Sequence, residues 1–163
     1  MAKTHAYPID LHWTGNTGDG TARYDGYRRD FRVEAAGKPA LDGSADPAFR
    51  GDPARHNPED LFVAAIAACH MLFYLALCAR EGVRVLAYED HAEGCMDILA
   101  DGGGRFAEVC LRPRVIVAAG ADGALAHALH ATAHERCFIA NSCDVPIHCL
   151  PTVEVVAVAG EVP

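Results

Sequence analysis

The stretch from Asn57 to Gly82, NPEDLFVAAIAACHMLFYLALCAREG, constrains this chain more than any other. Asn57 can cap the free N–H groups of a first helical turn, Pro58 suits that turn with its fixed φ, and Glu59 and Asp60 sit at the positive end of the dipole. Gly82 offers the left-handed residue that closes a helix. Between Leu61 and Ala79 only His70 is strongly polar, so nearly every face of the predicted helix is apolar and must be covered by protein or by lipid. About 18 apolar residues is the usual threshold for a membrane span. Here, however, alanine fills much of the run, His70 stands near its centre, and no Lys/Arg bias orients the flanks. The expectation is a central helix buried in a soluble core or a dimer, without a membrane partner.

The rest of the chain fits one globular domain over residues 1–163, 51% hydrophobic and 22% charged. A formal net charge of −8 argues against nucleic acid and anionic membrane, because phosphate binding needs a concentrated basic surface. The opening MAKTHAYPIDLHW has no apolar core of an export signal. With that start, seven cysteines, an odd number, are expected to be mostly reduced and cytoplasmic, which turns attention from structural disulfides to thiol reactivity or metal.

Tyr7 to Trp13 reads as a first strand followed by turn signals at Thr14-Gly15-Asn16 and Gly18-Asp19-Gly20, and Tyr27 to Ala35 as a second strand. Residues Gly37 to His56 form a long Gly-, Pro- and Asp-rich connection carrying Arg50 and Arg55, a length more often functional than idle. Val83 to Leu99 and Arg105 to Ala118 predict a long hairpin. A two-residue Gly102-Gly103 turn would set Leu99 against Phe106, Met96 against Val109, Glu93 against Arg112 and Cys95 against Cys110. Asp122 to about Arg136 predicts a second helix with Leu125, Leu129 and Thr132 inward, and Pro151 to Ala159 a closing strand.

A cysteine in an apolar helix is ordinarily a small core hydrophobe with a raised pKa. Cys69 lies roughly 18 Å beyond Asn57 along the helix, too far for the N-terminal dipole to hold a thiolate. Activation therefore needs a cation from elsewhere, and Arg50, Arg55, Arg23, Arg28 and Arg29 are the candidates. His70 is not on the face of Cys69, since consecutive helical residues diverge, and is expected to meet another neighbour. Cys78, nearly opposite Cys69 around the helix, reads as structural.

Asn57-Pro58-Glu59-Asp60-Leu61, Ala67-Ala68-Cys69, Cys137 behind the next helix and the Thr152-Val153-Glu154-Val155 strand together resemble the OsmC/Ohr hydroperoxide reductases, in their osmotically induced branch. The resemblance runs from about Trp13 to Val158. It implies an α+β fold, antiparallel sheets wrapped around two main helices in an intertwined homodimer, and a thiol peroxidase without a cofactor or metal. Cys69 would be the peroxidatic thiolate that reduces an organic hydroperoxide. Cys137 would resolve the sulfenic acid, and an external dithiol, for which this family commonly uses a lipoyl group, would re-reduce the disulfide. Arg50 matches the family's arginine, and Glu59 its motif glutamate. The chain departs from the family in having His70 after the first cysteine, where an aromatic is common, and Phe138 after the second, where proline is common.

Glu59 precedes Cys69 by roughly 15 Å along one helix, so the two can share a site only if two central helices pack antiparallel across a dimer axis. Two other readings stand beside the peroxidase. One is a metal-binding module of His127, His130, His134 and Cys137, although Leu125 and Leu129 opposite them make the histidines the expected solvent face. The other is a catalytically silent family member that binds a hydrophobic ligand.

Overall fold

A computed structural model describes residues 3–156 and is α+β, with nine β-strands and two α-helices among those residues. The chain forms two compact units, Met1–Leu61 and Phe62–Pro163.

The first unit is an antiparallel meander of β1 (Asp10–Trp13), β2 (Phe31–Glu34) and β3 (Leu41–Gly43). Trp13 pairs with Phe31, so β1 and β2 are joined by a long loop rather than by a tight turn at Gly18-Asp19-Gly20. Backbone bonds Thr14 N–H to Asp30 O (2.9 Å) and Arg28 N–H to Gly15 O (2.9 Å) zip the loop's base, and the Trp13 indole donates to Arg28 O at 2.9 Å. The polar connection of residues 37–56 holds β3 and a 3-10 turn, Pro47–Phe49, capped by the Asp46 carboxylate accepting from Ala48 N–H. Buried Ser44 ties the segment together, donating to Asp30 Oδ1 and accepting from Asp52 N–H.

Helix α1 spans Pro58–Arg80 and ends as its termini predict. Asp60 N–H donates to Asn57 Oδ1 at 2.7 Å, and the Asp60 carboxylate accepts from Asn57 N–H at 3.3 Å, a reciprocal cap. At the other end Gly82 takes φ 75°, which lets Val83 N–H reach back to Cys78 O at 2.8 Å. The buried face of α1 carries Ile66, His70, Tyr74, Leu77 and Cys78. Around the cylinder from it Ala64, Ala65, Ala68, Leu72, Ala76 and Ala79 are exposed. By length and composition α1 could cross a membrane, and 28% of its most apolar window is buried within the chain.

The second unit places most of α1 and helix α2 (Gly123–Arg136) with six strands: β4 (Val85–Asp90), β5 (Glu93–Ile98), β6 (Gly104–Leu111), β7 (Pro113–Ala118), β8 (Ile147–Cys149) and β9 (Thr152–Val156). The predicted long hairpin forms, but it breaks near residues 91 and 92, where Asp90 Oδ1 accepts from Arg112 N–H at 2.7 Å. Its halves enter different sheets, β4-β7-β9 and β5-β6-β8. Strands β8 and β9 add parallel to β6 and β7, so these sheets are mixed rather than purely antiparallel. The predicted end of the last strand, residues 157–159, lies outside the described residues.

The predicted hairpin register is wrong. Gly102, at φ 85°, donates to Leu99 O, and Leu99 N–H bonds to Gly103 O at 2.7 Å, so the loop is longer than two residues. Met96 therefore faces Phe106, and an irregularity between Cys95 and Met96 sets Cys95 against Glu108 and Cys110 against Glu93. Cys95 and Cys110 are not partners. Glu93 still reaches Arg112 through its side chain, at 3.2 Å.

Two apolar clusters form the core. Tyr74, Leu77, Cys78, Val83, Val115, Val117, Ala126, Leu129 and Ala133 join α1, α2 and β7. Ile66, Val109 and Leu111, flanked by Phe62 and Phe106, fix the first half of α1 on β6. Each large apolar side chain buried this way contributes about 1.5–3 kcal/mol.

Candidate active site

Cys69 sits at the middle of α1, half-buried, where both helix termini are too distant to act on it. Cys137 is the C-cap of α2, with extended φ and ψ of −66° and 114°, and is fully buried. Because Ala133 and Leu129 draw α2 into the α1 core, the cap at its end comes down beside α1, with the Cys137 thiol close enough to Cys69 for that thiol to act on its pKa. Its sulfur also accepts from Ala140 N–H at 3.4 Å, in the 3-10 turn that follows. Burial, reinforced by the neighbouring Cys69 thiol, pushes the Cys137 thiol up to about 11. All seven cysteines are free. Phe73, one turn beyond Cys69, packs edge-on against Phe138 at 4.8 Å between centroids, and Phe138 and Leu72 are largely exposed, giving the thiol pair an apolar rim. Phe138, where the family commonly has proline, is thus part of that rim.

The five candidate arginines belong to the first unit. Arg23 pairs with Asp25, Arg28 with Asp30 and Arg55 with Asp52. Arg29 spends its donors on the carbonyls of Tyr24 and Tyr27 and stacks on both rings. Arg50 has no carboxylate within ion-pair distance among the described residues; its guanidinium lies 5.9 Å from the Tyr24 ring centroid. It is also the one non-glycine among the described residues with a positive φ, 68°. Glu59 lies in the first turn of α1, partly exposed.

The proposed grouping of His127, His130, His134 and Cys137 is not formed. His130 is not on a solvent face: it is 2% exposed, because α2 buries Ala126, Leu129, His130 and Ala133. Alanines on every side of α2 leave the choice of buried arc to the neighbouring elements, and they rotate it toward His130. Cys137 instead meets Cys69. His70 does turn to a different neighbour: its Nε2 lies 3.0 Å from His130 Nδ1, and Cys149 Sγ lies 3.5 Å from the same Nε2. Burial pushes His70 down to about 4, with a contribution from His134. It pushes His130 down to about 3, with contributions from His70 and His127. Cys149 was not singled out in the sequence, and the only signal for it was its place in the His- and Cys-bearing run 143–149.

Comparison with known proteins agrees with this architecture. An OsmC-like protein of unknown function from Vibrio cholerae superposes with a TM-score of 0.81 at 28% identity, covering 91% of this chain and 100% of that one. An organic hydroperoxide resistance protein from Legionella pneumophila superposes at 0.67 and 22% identity, over 94% of this chain and 100% of that one. The organic hydroperoxide resistance protein OhrB of Bacillus subtilis does so at 0.57 and 19%, over 90% and 98%. No curated protein matches the sequence. Residues 51–149, more than half of the chain, match the family described as OsmC-like protein, and the chain belongs to that family.

Proposed function

We propose that this protein is a thiol-dependent peroxidase that reduces organic hydroperoxides through Cys69 and Cys137. The observation that carries this reading is the buried Cys137 thiol beside Cys69, two free thiols from different helices close enough to interact. The Cys69 thiolate attacks the terminal peroxide oxygen; the S–O bond forms, the O–O bond breaks, and the alkoxide leaves as the alcohol after taking a proton. Cys137 then loses its proton and attacks the Cys69 sulfur, expelling hydroxide, which leaves as water. An external dithiol, lipoyl or similar, reduces the disulfide by two exchange steps and becomes oxidised itself. The apolar rim of Phe73, Phe138 and Leu72 favours an organic peroxide over hydrogen peroxide.

Arg50 is the cation we assign to the thiolate, on the strength of the family match and of its having no carboxylate partner among the described residues, and Glu59 is the carboxylate assigned to orient it. The protein acts as a homodimer in the cytoplasm. In support, the uncovered small-residue face of α1, Ala64, Ala68, Leu72, Ala76 and Ala79, suits close packing against a second copy. The test is steady-state reduction of cumene hydroperoxide with dihydrolipoamide or dithiothreitol by wild type, Cys69→Ser and Cys137→Ser. Cys69→Ser should fall to the uncatalysed background and Cys137→Ser should complete one turnover and retain a dimedone-reactive sulfenic acid. Equal activity in all three proteins would end the assignment.

A further inference from the structure

We propose that His70, His130 and Cys149 form a second site, separate from the thiol pair, that binds a zinc ion through His70 Nε2, His130 Nδ1 and Cys149 Sγ. These residues come from α1, α2 and β8, sixty and seventy-nine positions apart in the pairs that touch, and their donor atoms lie within 4.8 Å of one another. Among the described residues no other group of three such donors is gathered as closely.

Zinc takes imidazole nitrogen at about 2.0–2.1 Å and thiolate at about 2.3 Å in tetrahedral array, which separates two nitrogens by about 3.3 Å and nitrogen from sulfur by about 3.6 Å. The His70 Nε2–His130 Nδ1 and His70 Nε2–Cys149 Sγ separations are 3.0 and 3.5 Å and all three donors lie within 4.8 Å, so an ion needs the imidazoles to part slightly and Cys149 to close toward His130. The donor set of two imidazoles and one thiolate is borderline-soft, which suits zinc and disfavours calcium or magnesium. Both imidazoles are buried, so an ion there would be held away from bulk solvent.

In the ion-free cluster the two imidazoles pair with each other. Whichever tautomers are chosen, one N–H donates to one ring nitrogen and the outer atoms, His70 Nδ1 and His130 Nε2, have no partner although fully buried. Binding an ion uses both inner nitrogens as lone-pair donors and replaces the Cys149 S–H bond by S–Zn, the proton leaving to solvent. The ion then carries one net positive charge with its thiolate. A cavity of about 310 Å³ lined by His127, His130, His134 and Cys149 provides an entry path and room for water in the fourth position. Three protein ligands and one open position distinguish the site from a closed structural zinc centre.

The inference does not rest on the peroxidase reading, and its readouts do not use peroxide. Chelator-dialysed, reduced full-length protein is titrated with zinc chloride against a chromophoric chelator, and in parallel with cobalt chloride. The expected results are one zinc per chain, tetrahedral cobalt bands with a thiolate-to-cobalt charge-transfer band, and zinc-dependent protection of Cys149, but not of exposed Cys95, from alkylation. Cys149→Ser and His70→Gln should each weaken zinc binding about 100-fold or more while His127→Ala changes it less than about threefold. Unprotected Cys149 in the wild type overturns the proposal even if every variant fails to fold. So does binding that survives Cys149→Ser and His70→Gln but is lost in His127→Ala/His134→Ala, which would put the ion on the exposed rim of α2.

Discussion

The thiol of Cys137, at the C-cap of α2, is completely buried and neighbours Cys69 at the midpoint of α1. This contact divides the pair chemically. Cys69 is the half-exposed thiol that an incoming peroxide can reach, while Cys137 is screened from solvent and held protonated. On the proposed peroxidase reading, a resolving thiol kept in that state would not compete for peroxide and would lie beside the sulfenic acid it is to attack.

The pH dependence of resolution follows. Burial raises the Cys137 thiol to about 11, so its thiolate fraction is small at neutral pH and grows with pH until about that value. In a single-turnover experiment with excess peroxide, disulfide formation should therefore accelerate from pH 7 toward pH 10, about tenfold per unit where deprotonation limits. Stopped-flow tryptophan fluorescence or quenched mass spectrometry measures the rate. A pH-independent rate over that range contradicts the expectation. The sign for stability is the reverse: a raised thiol pKa contributes nothing against unfolding until the pH passes the ordinary thiol value, above which the folded state loses stability relative to the unfolded one.

Arg50 allows stability and activity to be separated at one position. A non-glycine residue at φ 68° costs of order 1 kcal/mol, which glycine does not incur. Arg50→Gly should leave the melting temperature unchanged or raise it by a few degrees, yet lower kcat/KM for an organic hydroperoxide about 10–100-fold by removing the cation. Arg23→Ala, which breaks an exposed pair with Asp25, should leave kcat/KM nearly unchanged. Calorimetry and steady-state kinetics on the same samples test both halves.

Glu59 and Cys69 stand on one continuous helix, roughly 15 Å apart along its axis, so within a chain they cannot touch. If both serve one site, the glutamate comes from a second copy. Sedimentation should then show a dimer. Mixed dimers of Cys69→Ser with Glu59→Ala chains should retain one competent site per dimer, about half of wild-type activity, whereas each parental homodimer is inactive or severely impaired. A monomer, or mixed dimers no more active than the Glu59→Ala parent, would reduce Glu59 to a favourable charge at the helix N-terminus.

Gly94 tests the packing of α1 on β5. A Cβ there would stand 2.6 Å from Val63 Cγ2 and 2.7 Å from Phe106 Cε1. Gly94→Ala should destabilise by about 1–3 kcal/mol through overpacking. At this chain length that lowers the melting temperature by about 2–4 °C per kcal/mol, which differential scanning calorimetry would register.

Local chemistry made α1 legible in the sequence: Asn57, Asp60 and Gly82 close its ends by contacts spanning a few residues, and these form as their identities require. The same holds for the Asp122 cap of α2, whose carboxylate accepts from Ala124 and Leu125 N–H, and for the existence of the long hairpin. Its register was decided by Gly102 adopting a left-handed φ, a choice among several turns that Asp101-Gly102-Gly103-Gly104 allows equally well. Which face of α2 turns inward was decided by tertiary packing, because alanine is at home buried or exposed and its neighbours α1, β7 and β9 select among its arcs. The thiol pair was anticipated through the family motifs, but its contact depends on where α2 ends against α1. The cluster of His70, His130 and Cys149 had no local signature at all. It exists because three elements distant in sequence converge on one point, and no periodicity or spacing along a chain encodes such a convergence.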